Sequence, residues 1–182
     1  PRRWGPEGIY CNALCPGAVR TPMFQRLLDR DPDLERRTAA GAALRRIAEP
    51  FMRSLWELHR ETTDLAVFDG NHIVFISVLE SPQRLKLAAA VGQRLPAFCT
   101  SSGKAILAYM PEESVRHILE HDLQQYTEFT RVTPEQILED LRVCREQGFA
   151  VSVQEYEDGI NAVGAPVIGR KGTPIASVSV AG

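Results

Sequence analysis

Residues 95–110 read LPAFCTSSGKAILAYM, an apolar run followed by a polar turn and then by apolar residues at helical spacing. The turn contains Thr100, Ser101 and Ser102, whose hydroxyl groups are suited to cap the first turn of a helix. Free N–H groups and hydroxyls at such a helix start, together with the helix dipole, favour a small anion. The segment is therefore either an ordinary cap, which is the commoner case, or a binding site for an anion.

The Gly103-Lys104 pair resembles the end of a phosphate-binding loop, G-x-x-x-x-G-K-[ST]. Phe98 stands where that loop needs its first glycine, and Ala105 replaces the final Ser or Thr. Binding of a nucleoside triphosphate is therefore not expected, and no cofactor is predicted.

The chain offers few candidates for catalysis or metal binding. Residues 117–121 match H-x-x-E-H, whose two histidines can chelate zinc, but a third ligand is missing, so we interpret them as a solvated helix end. No Cys-x-x-Cys occurs among Cys11, Cys15, Cys99 and Cys144, which are expected to be free thiols. No Ser/His/Asp or Cys/His set is discernible, so binding is favoured over catalysis.

Outward from residues 95–110, the pattern predicts an α+β fold with an antiparallel sheet flanked by helices. A hairpin is predicted around Asp69-Gly70, between strands at residues 63–68 and 73–78. Arg84–Ala88 alternates as a third strand would. Further strands are predicted at 149–153, 161–168 and 174–180, and helices at 51–59, 105–110, from 111 onwards, and from Pro134 to Gly148.

Three serines lie at alternating positions within apolar strands. Ser152 stands between two valines, and Ser177 and Ser179 alternate with apolar residues near the end of the chain. Alternate residues of a strand share one face of the sheet. This face either meets water, the commoner case for such a pattern, or lines a pocket with polar groups.

Composition and charge limit the classes of function. The 182 residues are 44% hydrophobic, yet no apolar run approaches the roughly 18 residues of a membrane span, and no secretory signal is found. A cytoplasmic protein without membrane contact is expected. Residues 50–182 hold twelve Lys and Arg against seventeen acidic residues, so direct DNA binding by this part is not expected.

Residues 50–182 resemble the effector-binding domain of IclR-type transcriptional regulators. The resemblance implies a GAF-like fold that binds a small organic acid, within a homo-oligomer, a dimer or tetramer, that carries a winged helix-turn-helix before this domain. We find no such DNA reader here, and the terminal helices that normally close the domain are missing, so truncation at its end is expected. The matching pieces are Pro50-Phe51-Met52, Asp69-Gly70, residues 95–108, Thr133-Pro134, residues 148–155, Ala165-Pro166-Val167 and residues 176–180.

In that family the carboxylate of the ligand meets the loop at the helix start and side chains of the following strands. The resemblance therefore assigns ligand contacts by position. They fall on Leu95, Ser101, Ser102, Gly103, Ser152, Ala162, Ser179 and Ala181.

Residues 1–49 form a short, partly helical appendage that resembles the closing part of a short-chain dehydrogenase/reductase. The likeness rests on residues 8–23, GIYCNALCPGAVRTPM. The glycine-rich loop and the Tyr-x-x-x-Lys pair of that family are missing, and without its parallel sheet nothing holds NAD. We expect no dehydrogenase activity. A remnant of an NAD(P)-dependent oxidoreductase is the alternative function.

Overall fold

Alternating apolar and polar residues form an antiparallel sheet in the computed structural model, which describes residues 3–4, 9–10, 39–83, 87–120 and 123–182. The strands are β1 (Arg3–Trp4), β2 (Ile9–Tyr10), β3 (Thr62–Asp69), β4 (His72–Leu79), β5 (Arg94–Pro96), β6 (Ala150–Val153), β7 (Asn161–Ile168) and β8 (Pro174–Ala181). The helices are α1 (Ala39–His59), α2 (Ser101–Leu107), α3 (Glu112–Leu119) and α4 (Pro134–Gln147).

Strands β3 to β8 form one six-stranded sheet in the order β5-β4-β3-β8-β7-β6, and every neighbouring pair is antiparallel. Among the described strands, β1 and β2 pair with each other and with no third strand. β3 and β4 are joined by the predicted tight turn, where Gly70 adopts a φ of +69° that favours glycine. The predicted α+β architecture with an antiparallel sheet and flanking helices is confirmed.

Helices cover both faces of the sheet. Met52 of α1 is fully buried against one face, where it packs with Leu65 of β3 and Val178 of β8. The other face, which includes Ala66, packs against α2 through residues such as Ile106. The sheet therefore separates two apolar cores, and the segment 95–110 belongs to the second.

The helix predicted at residues 51–59 starts earlier than expected. α1 runs without interruption from Ala39 to His59 and includes Pro50. Leu44, Ile47 and Met52 are all buried at helical spacing, so packing against the sheet extends across the proline. The division of the chain at residues 49 and 50 stays a prediction, since most of residues 1–38 lie outside the described part.

The structure differs from the sequence prediction at one predicted strand and at the start of one helix. Of the predicted strand Arg84–Ala88, residues 84–86 lie outside the described part, and Leu87 and Ala88 belong to no strand. Among the described strands, β5 follows β4 along the chain and pairs with it, with Pro96 opposite His72. Helix α2 begins at Ser101 rather than at residue 105, directly after its cap residue Thr100.

The prediction of α4 is confirmed at both ends. The Thr133 hydroxyl accepts a hydrogen bond from the backbone N–H of Gln136, and Pro134 occupies the first turn. Gly148 ends the helix in the left-handed region, with a φ of +85°. Within the described residues, no helix is both long enough and apolar enough to cross a membrane.

Candidate functional site

A cavity of about 50 Å³ lies between the start of α2 and one face of the sheet. Seven of the eight residues predicted to contact a ligand line this cavity: Leu95, Ser101, Ser102, Ser152, Ala162, Ser179 and Ala181. The rest of the lining comes from Asp64, Ile73, Phe75, Leu87, Thr100, Tyr156, Glu157 and Ile160. The structure thus brings together residues that are far apart in the sequence.

Strand register explains how the sheet contributes its part of the lining. Ser152 of β6 lies opposite Ala162 of β7, and Ala162 lies opposite Ala181 of β8. These three residues form a row across the sheet. Ser179, two residues before Ala181, lies opposite Asp64 of β3. Small side chains in these places leave the space that the cavity occupies.

Gly103 is the predicted residue that does not line the cavity. Its backbone N–H donates to the hydroxyl of Thr100 over 3.3 Å, so it serves the helix cap. A Cβ atom at this position would lie 2.1 Å from the carbonyl oxygen of Ala97. The absence of a side chain at Gly103 therefore allows α2 to lie directly against the chain that follows β5.

The commoner expectation for the three serines, that their face meets water, was wrong. Ser152, Ser177 and Ser179 are all buried. The hydroxyl of Ser152 donates to the backbone carbonyl of Cys99 over 3.1 Å, and that of Ser179 donates to Asp64. Their face packs against α2, so alternation along these strands marks a pocket wall and not a solvated surface.

The residue that sequence reasoning missed is Asp64. Its carboxyl group is buried in the cavity wall, where it accepts a hydrogen bond from Ser102 over 3.0 Å and another from Ser179. Burial raises the pKa of Asp64 from 3.8 to about 7, although the two serine hydrogen bonds lower it in part. The available signal was an acidic residue inside an apolar strand, on the same face as Ala66.

A second polar group, the Lys104 cluster, includes a side chain of α2 and consists of Lys104, Arg131, Asp140 and Glu155. The ammonium group of Lys104 is fully buried and donates to Asp140 over 2.6 Å, to Glu155 over 2.7 Å and to the carbonyl of Val151. Arg131 lies 2.8 Å from Glu155. Two cations therefore face two anions, so the charge of the cluster is balanced.

Residues 154–160, which we call the rim loop, connect the Lys104 cluster to the cavity. Glu155 belongs to the cluster, whereas Tyr156, Glu157 and Ile160 line the cavity. The hydroxyls of Thr127 and Thr130 each donate to a backbone carbonyl at the base of this loop over 2.6 Å. Thr127 and Thr130 thus anchor the first two residues of the rim loop, and later residues of the loop line the cavity.

These groups are suited to binding more than to covalent chemistry. Burial raises the pKa of the Cys99 thiol well above its ordinary value, so the reactive thiolate is disfavoured. Among the residues that the structure describes, no three His, Cys, Asp or Glu side chains are grouped so that they could hold a metal ion. His117 is exposed and lies 3.1 Å from Glu120, as expected for a solvated helix end, while His121 lies outside the described residues.

The family model for the C-terminal domain of the bacterial transcriptional regulator IclR matches residues 37–182. The repressor AllR of Escherichia coli is 36% identical over 137 residues, which cover 75% of this chain and 51% of AllR. The chain spans about half the length of the curated relatives it matches. The similarities found do not support the resemblance of residues 1–49 to a short-chain dehydrogenase/reductase, nor the alternative function drawn from it.

Solved structures give the same result. The IclR structure from Thermotoga maritima is 30% identical, with a TM-score of 0.75, covering 86% of this chain and 62% of that one. An IclR homologue from Microbacterium hydrocarbonoxydans, complexed with 4-hydroxybenzoate, is 28% identical, with a TM-score of 0.73 and coverage of 78% and 58%. The chain therefore belongs to the IclR family of transcriptional regulators, and it contains the ligand-binding domain of that family.

Proposed function

We propose that the cavity beside α2 senses a small organic acid. The observation that carries this proposal is the convergence of seven residues, assigned to ligand contact by resemblance, on one cavity. Ser101 and Ser102 would meet the carboxylate at the start of α2, and Leu95, Ala162 and Ala181 would surround its carbon atoms. A related domain in complex with 4-hydroxybenzoate, itself a carboxylic acid, supports this class of ligand.

The cavity also suggests the size of the ligand. A space of about 50 Å³ is small beside the several hundred Å³ of pockets for drug-sized molecules. A compact acid would enter without rearrangement. An aromatic acid would require Tyr156 and Ile160 of the rim loop to move outward.

We further propose that ligand binding controls transcription through a homo-oligomer, a dimer or tetramer, and that no reaction is catalysed. DNA recognition would fall to a winged helix-turn-helix, as the family resemblance implies. The described domain would not contact DNA directly, because residues 50–182 carry more acidic than basic side chains.

Thermal-shift and calorimetric titration of the full chain with acetate, lactate, benzoate and 4-hydroxybenzoate tests the proposal. Ala162→Leu fills the cavity and is expected to weaken binding of any acid at least tenfold. Val163→Leu, at the next position of β7 and outside the lining, is the matched control and should bind like wild type. The proposal is wrong if no acid binds, or if Ala162→Leu leaves the affinity of a bound acid unchanged.

A further inference from the structure

The charges around the cavity do not match those expected for binding an ionised carboxylate. Asp64 is buried in the wall, and Glu157 lies at the exposed rim. Among the described residues that line the cavity, none is Lys, Arg or His. Lys104 is a buried cation that follows the lining residue Ser102 by two positions, but its ammonium group already contacts Asp140 and Glu155. An acid that enters therefore meets a carboxyl group without a cation to balance it.

Two carboxylates that share a site with low dielectric constant do not both ionise. One of them holds a proton, and a short hydrogen bond then joins the pair. Asp64 is placed to take this role, because Ser102 and Ser179 fix its two oxygens while its carboxyl group remains in the cavity wall. When Asp64 is protonated, its O–H can donate to a ligand oxygen.

We propose that Asp64 is the specificity-determining residue of the cavity and that an organic acid binds there together with one proton. The proton comes from solvent, is held on the Asp64 carboxyl group, and donates to the carboxylate of the ligand. This inference rests on the proposed function. It adds that neutral analogues with an amide in place of the carboxylate are accepted by the ionised form, since their N–H groups donate to Asp64.

The groups that face Asp64 place the proton on this residue. The lining residues of β4, β7 and β8 carry no titratable side chain. Tyr156 and Glu157 of the rim loop are the other titratable lining residues, and burial raises the pKa of Tyr156, which keeps its phenol neutral. Since the pKa of Asp64 is about 7, acid binding is expected to weaken up to tenfold per pH unit above neutrality.

Calorimetric titrations with acetate, lactate and 4-hydroxybenzoate, and with the amide of each, test the proposal at about pH 6 and pH 8.5. Each titration is repeated in two buffers with different heats of ionisation. For wild type we expect affinity for the bound acid to fall at least tenfold between these pH values, with uptake of about one proton at the higher pH. The amide should lose no affinity over the same range.

Asp64→Asn should bind the acid with equal affinity at both pH values and without proton uptake. Asp69→Asn, the same change at the exposed end of β3, is the matched control and should keep the wild-type pH dependence. Wild-type acid binding that is independent of pH and takes up no proton overturns this inference alone. Absence of binding by every acid at both pH values overturns the proposed function as well. Proton uptake is measured on wild type, so the test does not depend on the folding of a variant.

Discussion

Two buried acidic residues lie close to α2, and their partners differ. Glu155 receives the ammonium group of Lys104 over 2.7 Å and the guanidinium group of Arg131 over 2.8 Å. Among the residues that the structure describes, Asp64 receives hydrogen bonds only from the hydroxyls of Ser102 and Ser179. Both carboxyl groups have almost no solvent access. A buried acid with cationic partners holds the structure together, whereas a buried acid without them retains a proton near neutral pH and can respond to what enters the cavity.

Glu155 and Asp64 illustrate two kinds of buried polar group, one that stabilises the fold and one that is a candidate for function. A buried ion pair carries a large desolvation cost that its mutual attraction offsets, and removal of one partner leaves the other charge buried and unpaired. An ionisable group that lacks a counter-charge and lies in a cavity is a candidate for function, because its environment alters its protonation. The serines, which carry no charge, allow Asp64 to remain buried without fixing its charge state.

Removal of Lys104 should have the largest effect. Within the described part of the chain, Lys104→Met leaves Asp140 and Glu155 with Arg131 as their one cationic partner, and we expect a loss of roughly 3–5 kcal/mol in the free energy of unfolding. Urea denaturation followed by circular dichroism measures this loss. Lys171→Met, in the exposed turn between β7 and β8, should change stability by less than about 0.5 kcal/mol. A stable Lys104→Met variant would show that the cluster contributes nothing to folding.

Titration of Asp64 should have an effect of similar or slightly smaller size. Its pKa is about 7 in the folded chain against an ordinary 3.8, so the folded state keeps a proton that the unfolded state has released. The free energy of unfolding therefore falls as pH rises from about 4 to about 8, through the folded-state pKa, by roughly 4 kcal/mol from this residue, and changes little above that range.

Asp64→Asn measures this contribution, because an amide does not titrate. Urea midpoints of wild type and Asp64→Asn should be similar near pH 4 and diverge in favour of the variant by pH 8. A constant difference across this range would mean that Asp64 is ionised throughout, and it would remove the contrast with Glu155.

Substitution of Ser177 is expected to change stability least. Its hydroxyl is buried two residues from Ser179 and has no hydrogen-bond partner among the described residues. Ser177→Ala should therefore leave stability unchanged or raise it by up to about 1 kcal/mol. Ser179→Ala should lower stability by a similar amount, and by more above pH 7, because its hydrogen bond favours the ionised form of Asp64. Thermal denaturation of both variants measures the pair. A clear loss in Ser177→Ala would reveal a bound water molecule that pairs with the hydroxyl.

Local patterns in the sequence predicted most of the fold. The hairpin at Asp69-Gly70 and the capped helix after Thr133 depend on short-range geometry, and both appear as expected. At the described end of the predicted strand Arg84–Ala88, Leu87 belongs to no strand but packs against the core and the cavity, so its apolar character reflects burial and not strand pairing. Alternation alone does not distinguish these two causes.

The sequence placed part of the cavity lining but not its electrostatics, and ligand contact by these residues stays a prediction. Seven of the eight residues that the resemblance assigned to ligand contact line the cavity, yet the resemblance contained no reason to include Asp64. Pairing between Lys104 and its acids was also hidden, because Asp140 and Glu155 follow it by 36 and 51 residues. Charge balance in a core depends on which side chains come into contact in the folded chain, and local sequence patterns do not predict contacts between residues so far apart.

The central pairing of β3 with β8 also has a kinetic consequence. Asp64 and Ser179, which lie opposite each other in this pair, are separated by 115 residues. Formation of a contact across so long a loop is slow. During synthesis, β3 cannot pair with β8 until β8 has left the ribosome. The cavity wall therefore forms only when β8 is added, and a chain that stops before β8 exposes the unpaired edges of both β3 and β7 to aggregation.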